Sequence, residues 1–420
     1  MIRKLNILVC FLITNTFCYG FDDGWKAGVA KIRITPKQHM WMAGYASRTA
    51  PSNGTYDDLW AKALVLRDGQ GKQVVLITLD LLGVTKAVSD TIKNKLGVRF
   101  NLSKADILIN SSHTHSGPVL KDALKSIYNI DEREKVFINN YTNELIRKVF
   151  EVVDKAFHNM KPVSIFVENG ITRFQVNRRN NKEAELTAQT ILKGPNDYSV
   201  PVIKVENRKG SILAIAFGYA CHATVLNENK WSGDYPGYAQ TELEKKHKGA
   251  SALFFQGAGG NLNPLPRRTV QLAKQYGSEL AAAVERVLNE KMKPISGSIA
   301  TAYNEINLQF SNPSLPHYPY PVQIWKLGEQ PVVALGGELL VEYSVKLKQL
   351  LTREIFVLGY SNDVMAYIPS VTVLKEGGYE GSGSQKVYGM PADWSERIES
   401  DIISEVLRLA RSLNIPVQKN

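Results

Sequence analysis

Short apolar runs alternate along the chain with longer segments in which apolar residues recur every three or four positions. The short runs predict strands. Ala61–Leu66 and Val74–Leu82 form a predicted hairpin, because the Asp68–Gly71 turn joins them. Further strands are predicted at Ala27–Ile34, Ile107–Asn110, Val163–Glu168, Val200–Glu206, Ile212–Gly218, Ala252–Gln256, Ile299–Phe310, Val332–Leu335 and Ile355–Leu358.

The longer segments have the spacing of amphipathic helices. Helices are predicted at Val84–Leu96, Glu132–Phe157, Tyr235–Lys246, Thr269–Met292 and Glu396–Leu413, and another is expected to begin near Glu338. The prolines of His317–Pro321 predict a rigid, exposed aromatic segment. Hairpins mixed with strand–helix–strand units indicate an α/β fold with mixed β-sheets flanked by helices, in a single large domain.

The first residues resemble a secretory signal peptide. Arg3 and Lys4 precede the apolar stretch Leu5–Phe17, which is too short to span a bilayer. Cleavage after Gly20 would leave a domain at residues 21–420 in the periplasm or outside the cell. Lipid modification at Cys18 is the alternative, and the bulky residue before it argues against that alternative.

Charge and cysteine content argue against a nucleic-acid-binding protein and against a disulfide-stabilised one. The net charge is +11 over 420 residues, but basic residues are scattered, so nucleic-acid binding is not expected. Peripheral contact with anionic lipid or an acidic glycan is compatible with the charge. After cleavage only Cys221 remains, so no internal disulfide is expected.

The clearest chemical pattern is His113-Thr114-His115-Ser116-Gly117-Pro118, directly after a predicted buried strand. The two imidazoles share a face if the backbone stays extended, and diverge if it turns. One can bind a metal while the other handles protons. The alternative is a solvated loop that happens to carry two His.

Other strand ends carry candidate ligands. His222 ends one apolar strand, Glu338 follows two glycines at an expected helix start, and Tyr367 follows a polar turn. Two His and one carboxylate are a common ligand set for a catalytic zinc that keeps a position open for water. Each residue also has a structural interpretation: a hydrogen-bonded His, an acid in the first turn of a helix, and a core tyrosine.

Together these motifs resemble the neutral/alkaline ceramidase family, most specifically through the His113–Pro118 stretch. The matching stretches are Met42–Ala46, Thr78–Asp80, Ser112–Pro118, Ser232–Asp234, Gly237–Ala239, Gly337–Glu338, Tyr379–Gly381 and Tyr388–Gly389. The resemblance implies the catalytic-domain fold of that family and a zinc amidase. The implied zinc ligands are His113, His222, Glu338 and Tyr367. His115 would line the site, and Arg178 would help to hold the substrate.

The chain departs from the family pattern at a serine that is a proposed nucleophile, because Asn263 stands in its place. An amide can donate to an oxyanion but is a poor nucleophile. The expected reaction is therefore attack on an amide carbonyl by a zinc-activated water. Arg178 or Asn263 would stabilise the oxyanion, and His115 would protonate the leaving nitrogen.

Two further departures bear on the substrate. Val119 follows the His motif where the family has glycine, and the family's C-terminal immunoglobulin-like domain has no counterpart, so a catalytic-domain-only member is expected. Both points argue against ceramide as the substrate more than against hydrolysis as the reaction. The expected substrate is a small N-acyl lipid or glycan derivative. The alternatives are a zinc esterase or lactonase, a deacylase of an acylated sugar, and a non-catalytic binding protein on the same fold.

Overall fold

The structure is a computed structural model that describes residues 24–124, 127–128 and 130–418. The predicted signal peptide at residues 1–20 lies outside this range, as does the lipid-modification alternative at Cys18. Within the described residues, none of the helices combines the length and the apolar character needed to cross a membrane.

Strands and helices occur throughout the described chain. The strands are β1 (Lys26–Arg33), β2 (Gly54–Thr55), β3 (Trp60–Arg67), β4 (Gln73–Leu79), β5 (Ile107–Ser111), β6 (Lys161–Ile171), β7 (Gln175–Asn177), β8 (Ser199–Asn207), β9 (Ile212–Tyr219), β10 (Lys230–Trp231), β11 (Ser251–Gln256), β12 (Leu262–Pro264), β13 (Lys293–Pro294), β14 (Ile299–Leu308), β15 (Tyr318–Leu327), β16 (Gln330–Leu335), β17 (Glu338–Leu339), β18 (Phe356–Leu358) and β19 (Tyr367–Ile368). The helices are α1 (Lys86–Phe100), α2 (Glu132–His158), α3 (Asp234–Lys246), α4 (Val270–Asn289), α5 (Val341–Leu350), α6 (Val371–Glu376), α7 (Ser384–Tyr388) and α8 (Ile398–Ser412).

Two mixed sheets form the centre of the fold. The larger sheet has the strand order β11-β9-β8-β6-β1-β3-β4-β5, with β13 added beside β6, and the smaller has the order β14-β15-β16-β18. Each contains both antiparallel and parallel pairs; β4 with β5, β9 with β11, and β16 with β18 are parallel. This arrangement confirms the predicted α/β class with mixed sheets and flanking helices.

Apolar side chains hold the layers together. Leu64 and Leu76 of the larger sheet share a buried cluster with Trp325 and Phe356 of the smaller one. The outer face of the larger sheet packs against α1, α2, α3 and α4, and the outer face of the smaller sheet packs against α5 and α8. The result is a helix–sheet–sheet–helix stack, in which two apolar sheet faces bury each other.

The segment predicted to be rigid and exposed is instead the start of β15, and Tyr320 is fully buried. Prolines are disfavoured inside a sheet because they lack an N–H. The conflict is resolved by register: Pro319 and Pro321 pair with β14 only, and pairing of β15 with β16 begins at Val322. The two prolines therefore lie where the strand has a neighbour on one side.

The edge strands β5 and β11 of the larger sheet are joined through one buried side chain. The Asn110 amide donates to the carbonyl of Gln256 at 3.3 Å and accepts from its backbone N–H at 2.7 Å. Because β11 runs parallel to β9, the carboxyl ends of β5, β9 and β11 meet in one place. The residues that follow these strands are those with candidate chemistry.

Candidate active site

The two imidazoles that follow β5 are in contact. His113 has a φ of +60°, and its Nδ1 lies 2.7 Å from the carbonyl oxygen of Leu82. The amide of His115 donates to the carbonyl of Ala223 at 3.2 Å, and the Nε2 atoms of the two rings are 3.1 Å apart. The expectation that a turn would separate the rings is wrong, because the left-handed turn at His113 brings them together.

His222, which follows β9, completes a group of three imidazoles. Its Nδ1 lies 2.7 Å from the carbonyl oxygen of Gly259, and its amide donates to the carbonyl of Leu262 at 2.9 Å. One ring nitrogen each from His113, His115 and His222 lies within 4.8 Å of the others, and all three residues are buried. The glycine-rich stretch after β11 thus does more than turn the chain, since it orients an imidazole.

A carboxylate reaches this group from a distant part of the chain. Glu338 lies opposite Tyr367 in the parallel pairing of β17 with β19. Its Oε2 is 3.1 Å from Nε2 of His113 and 3.0 Å from Nε2 of His222. A Cβ atom at Gly260 would lie 2.7 Å from the Glu338 carbonyl oxygen, so the close approach depends on glycine there. Glu338 precedes α5, so the alternative in which this residue is simply an acid in the first turn of a helix is wrong.

The donor atoms fit a divalent cation. Nδ1 of His113 and of His222 faces a carbonyl oxygen, so in the neutral rings Nδ1 carries the hydrogen and Nε2 presents a lone pair. Burial, with the nearby Arg178 cation, lowers the pKa of His222 to about 4, which keeps that ring neutral. Lone pairs and a carboxylate oxygen thus converge, which is the donor set typical of zinc.

Arg178 connects the remaining predicted residues. Its Nη2 donates to the Tyr367 hydroxyl at 2.9 Å and to the Gly260 carbonyl at 3.0 Å, its Nη1 donates to Oδ1 of Asn263 at 3.2 Å, and its Nε donates to Glu380 at 2.7 Å. Among the residues that the structure describes, these bonds leave one Nη1 hydrogen free to donate to another group. Most of the guanidinium therefore positions its neighbours, and the remaining hydrogen is the part of Arg178 that could contact a substrate, as the family resemblance implies.

Tyr367 and Asn263 are oriented through this guanidinium. The Tyr367 hydroxyl lies 3.3 Å from Nε2 of His222. Burial raises the pKa of Tyr367 well above its usual value, and Arg178 acts against that rise. Since Oδ1 of Asn263 accepts from Arg178, the amide nitrogen is the group left to donate, as the oxyanion expectation requires.

Three polar residues around the site had no role assigned from sequence. Tyr388 donates a hydrogen bond to Oε1 of Glu338, and the Tyr360 hydroxyl lies 3.5 Å from Oε2 of Glu338. Glu380 pairs with Arg178. Tyr388 and Glu380 belong to stretches that carried the family resemblance, so the signal was present, but their function depends on tertiary contacts.

Comparison with known sequences agrees with the resemblance. A family model described as "Neutral/alkaline non-lysosomal ceramidase, N-terminal" matches residues 25–264. Neutral ceramidase 1 of Arabidopsis thaliana is 24% identical over 310 residues, which cover 69% of this chain and 38% of that protein. The neutral ceramidase of Drosophila melanogaster is 23% identical over 259 residues, which cover 59% of this chain and 36% of that protein. The chain thus spans well under half the length of these relatives.

Comparison with solved structures shows the fold. The crystal structure of neutral ceramidase from Pseudomonas aeruginosa superposes with a TM-score of 0.77 over 94% of this chain and 76% of that chain, at 16% sequence identity. A ceramidase structure described as complexed with C2 gives a TM-score of 0.78 over the same shares, also at 16% identity. At this level of identity the similarity concerns architecture.

Proposed function

The chain belongs to the neutral/alkaline non-lysosomal ceramidase family, and on that premise we propose that it hydrolyses the amide bond of an N-acyl substrate at a zinc site. The observation that carries the proposal is the convergence of Nε2 of His113 and Nε2 of His222 on one oxygen of Glu338, at 3.1 and 3.0 Å. A buried group of this kind without a cation would bring lone pairs and a carboxylate together at a high cost in free energy.

The proposed zinc ligands are His113, His222, Glu338 and Tyr367. A divalent cation held there supplies a Lewis acid that acidifies water and polarises a carbonyl. The carbonyls of Leu82 and Gly259 fix the two imidazoles through Nδ1, and Tyr388 fixes the carboxylate. Such outer contacts orient ligands and tune the metal.

The remaining steps use residues beside this site. Burial, with the adjacent imidazoles, places the pKa of His115 well below its usual value, so its ring is neutral and accepts a proton from the attacking water. The same ring then delivers the proton to the leaving nitrogen. The Asn263 amide and the remaining Nη1 hydrogen of Arg178 donate to the carbonyl oxygen as negative charge develops on it.

Ceramide is one substrate to test, since the named relatives are neutral ceramidases. The zinc-loaded protein should be assayed with ceramide, an N-acyl amino acid, an N-acetylated amino sugar and an aryl ester. We expect hydrolysis of at least one amide at a higher kcat/KM than the ester. Hydrolysis of the ester alone would replace this proposal with the esterase alternative.

The ligand assignment is tested by substitution. His113→Ala and His222→Ala should each lower bound zinc and reduce amide hydrolysis by more than about a hundredfold. His317→Ala, which removes an exposed imidazole, is the matched control and should behave as the unsubstituted protein. Retention of zinc and activity after either ligand substitution contradicts the assignment.

A further inference from the structure

Two arginines lie against one tyrosine beside the catalytic imidazole. The guanidinium carbons of Arg48 and Arg268 lie 5.1 and 5.5 Å from the ring centre of Tyr45. Nη1 of Arg268 lies 3.3 Å from the Tyr45 hydroxyl, and the Tyr45 ring is 4.7 Å from the ring of His115. Two positive charges are therefore held next to the residue that handles the proton.

Neither guanidinium has a carboxylate partner within the described parts of the chain. Arg48 is 7% exposed; it donates to the carbonyls of Ala43 at 3.3 Å, His115 at 2.9 Å and Glu228 at 3.5 Å. Among the residues that the structure describes, its buried Nε has no hydrogen-bond partner. Over the same residues no ion pair joins Arg48 or Arg268 to an acid. A buried cation without a counter-ion is costly, unless an anion completes the site.

One carboxylate, that of Asp234, acts on Arg268 of this pair through its charge but forms no ion pair with either arginine among the described residues. Asp234 acts on both Tyr45 and Arg268 through its charge, but its carboxylate accepts from the backbone amides of Leu226 and Tyr235 at 2.9 and 2.6 Å. The neighbouring Arg267 differs from Arg268, because it pairs with Glu183 at 2.9 Å. The available positive charge is thus that of Arg48 and Arg268.

The site is accessible from solvent through Arg268. Its side chain is exposed, whereas Tyr45 is half-buried and Arg48 is buried. The Arg268 backbone is fixed, since its φ is +91° and its amide donates to the carbonyl of Val225 at 2.7 Å. Arg268 can therefore donate hydrogen bonds to an incoming group, while Arg48 adds its charge from the protein interior.

We infer that Tyr45, Arg48 and Arg268 form a subsite for an oxyacid anion on the substrate, a carboxylate, sulfonate or phosphate, next to the bond that is cleaved. The inference rests on the proposed amide hydrolysis and narrows it to N-acyl compounds whose head group is negatively charged. Arginine forks match the planar and tetrahedral oxygens of such groups.

Binding tests this subsite independently of turnover. The zinc-loaded protein is titrated calorimetrically with octylsulfonyl amides of glycine, taurine, phosphoethanolamine and ethanolamine, in which an inert sulfonamide replaces the scissile bond. The first three are anionic and the last is neutral. We expect at least one anionic compound to bind about tenfold or more tightly than the neutral one, and the preferred anion distinguishes carboxylate, sulfonate and phosphate.

Substitution then assigns the preference to the arginines. Arg268→Gln, at an exposed position that does not endanger folding, should reduce the ratio of anionic to neutral affinity to below about threefold. Arg173→Gln is the matched control, because Arg173 is also exposed and its guanidinium carbon lies 5.1 Å from the ring centre of a tyrosine, Tyr198. Arg173 precedes β7, whereas Arg178 of the active site follows that strand. The control should keep the affinity ratio of the unsubstituted protein.

The outcomes separate the two proposals. Equal affinity for the anionic and neutral compounds, or an unchanged ratio in Arg268→Gln, overturns the subsite. An anionic preference that depends on Arg268, in a protein that cleaves none of the corresponding amides, supports the subsite and removes the amide-hydrolase proposal. Cleavage of neutral amides without a preference for anionic compounds supports the amide-hydrolase proposal and overturns the subsite.

Discussion

The phenol of Tyr388 donates a hydrogen bond to one oxygen of Glu338, while the other oxygen of that carboxylate faces His113 and His222. The tyrosine therefore fixes which oxygen points at the imidazoles. Loss of such an outer contact typically lowers metal affinity by about 10- to 100-fold. We predict that effect for Tyr388→Phe, measured by competition for zinc with a chromophoric chelator.

Tyr318→Phe is the control for that measurement. It removes a comparable bond from a tyrosine to a carboxylate, the 2.7 Å contact with Asp363, which is outside the ligand set. Zinc affinity should be unchanged in this variant. Equal affinities in the two variants would show that Glu338 needs no support from Tyr388.

Removal of the metal should destabilise the fold. The buried imidazoles and carboxylate are proposed to be held together by the cation, and a ligand that binds only the native state adds to the free energy of unfolding. At a free zinc concentration about a hundred times the dissociation constant, the gain is about 3 kcal/mol. We expect a chelator to lower the Tm of the unsubstituted protein and leave the Tm of His222→Ala unaffected. If the chelator leaves the Tm of both proteins unchanged, the prediction is contradicted.

Gly44 lies against the ring of His115. Its φ is +106°, and a Cβ atom there would lie 2.5 Å from Cγ and Nδ1 of His115. Gly44→Ala should therefore displace the ring and lower kcat/KM by about tenfold or more, with a loss of about 1–3 kcal/mol in the free energy of unfolding. Gly210→Ala is the control, since Gly210 has a φ of +78° but a Cβ atom there would meet no described atom within 4 Å. It should show the backbone strain without the loss of activity, and similar kcat/KM values in the two variants would exclude the steric effect.

Lys93 gives the protein a pH-dependent stability outside the active site. Its side chain is 2% exposed and, within the described chain, its Nζ has no hydrogen-bond partner; the ring of Tyr303 lies 4.7 Å away. Burial, with the charge of Lys104, lowers the pKa of Lys93 from 10.5 to about 7. In the unfolded chain the amine stays protonated up to about pH 10. The penalty for charging it in the fold is therefore complete below pH 7, and it disappears as the pH rises from 7 to about 10.

Lys93→Met should consequently be more stable than the unsubstituted protein, by about 2 kcal/mol at pH 6. The difference should shrink towards pH 10. Urea unfolding at several pH values measures it, and Lys95→Met, at an exposed position of the same helix, should show no comparable change. A stability difference that is independent of pH would mean that Lys93 does not titrate in this way.

The sequence predicted much of this fold because most elements have a clear period. The helix of α2 and the hairpin of β3 and β4 agree closely with their predicted positions. The start of β15 was misjudged because Pro319 breaks the strand pattern, and only the register with β14 and β16 explains how the strand accommodates it. The register between strands cannot be derived from the strand propensity of a local segment.

The candidate site was partly predictable for a related reason. His113 and His222 follow apolar strands, so their positions at the carboxyl ends of strands are visible in the sequence. Tyr388 and Glu380 lie in a short irregular helical segment without a hydrophobic period, and their roles arise from contacts with Glu338 and Arg178 that are far away in the chain. The sequence does not indicate the Arg48–Arg268 pair, because the two residues are far apart in the chain and meet only at Tyr45 in the fold. That neither has an acidic partner among the described residues is also visible only in the folded chain.

The pairing of Glu338 with Tyr367 has a consequence for biosynthesis. Both residues lie beyond residue 264, where the family match ends, so the imidazoles of His113 and His222 leave the ribosome long before their oxygen-bearing partners. A nascent polypeptide can present the complete proposed ligand set only after residue 367 has been synthesised. If the proposed site binds zinc, translation products that stop before Glu338 should therefore hold none tightly.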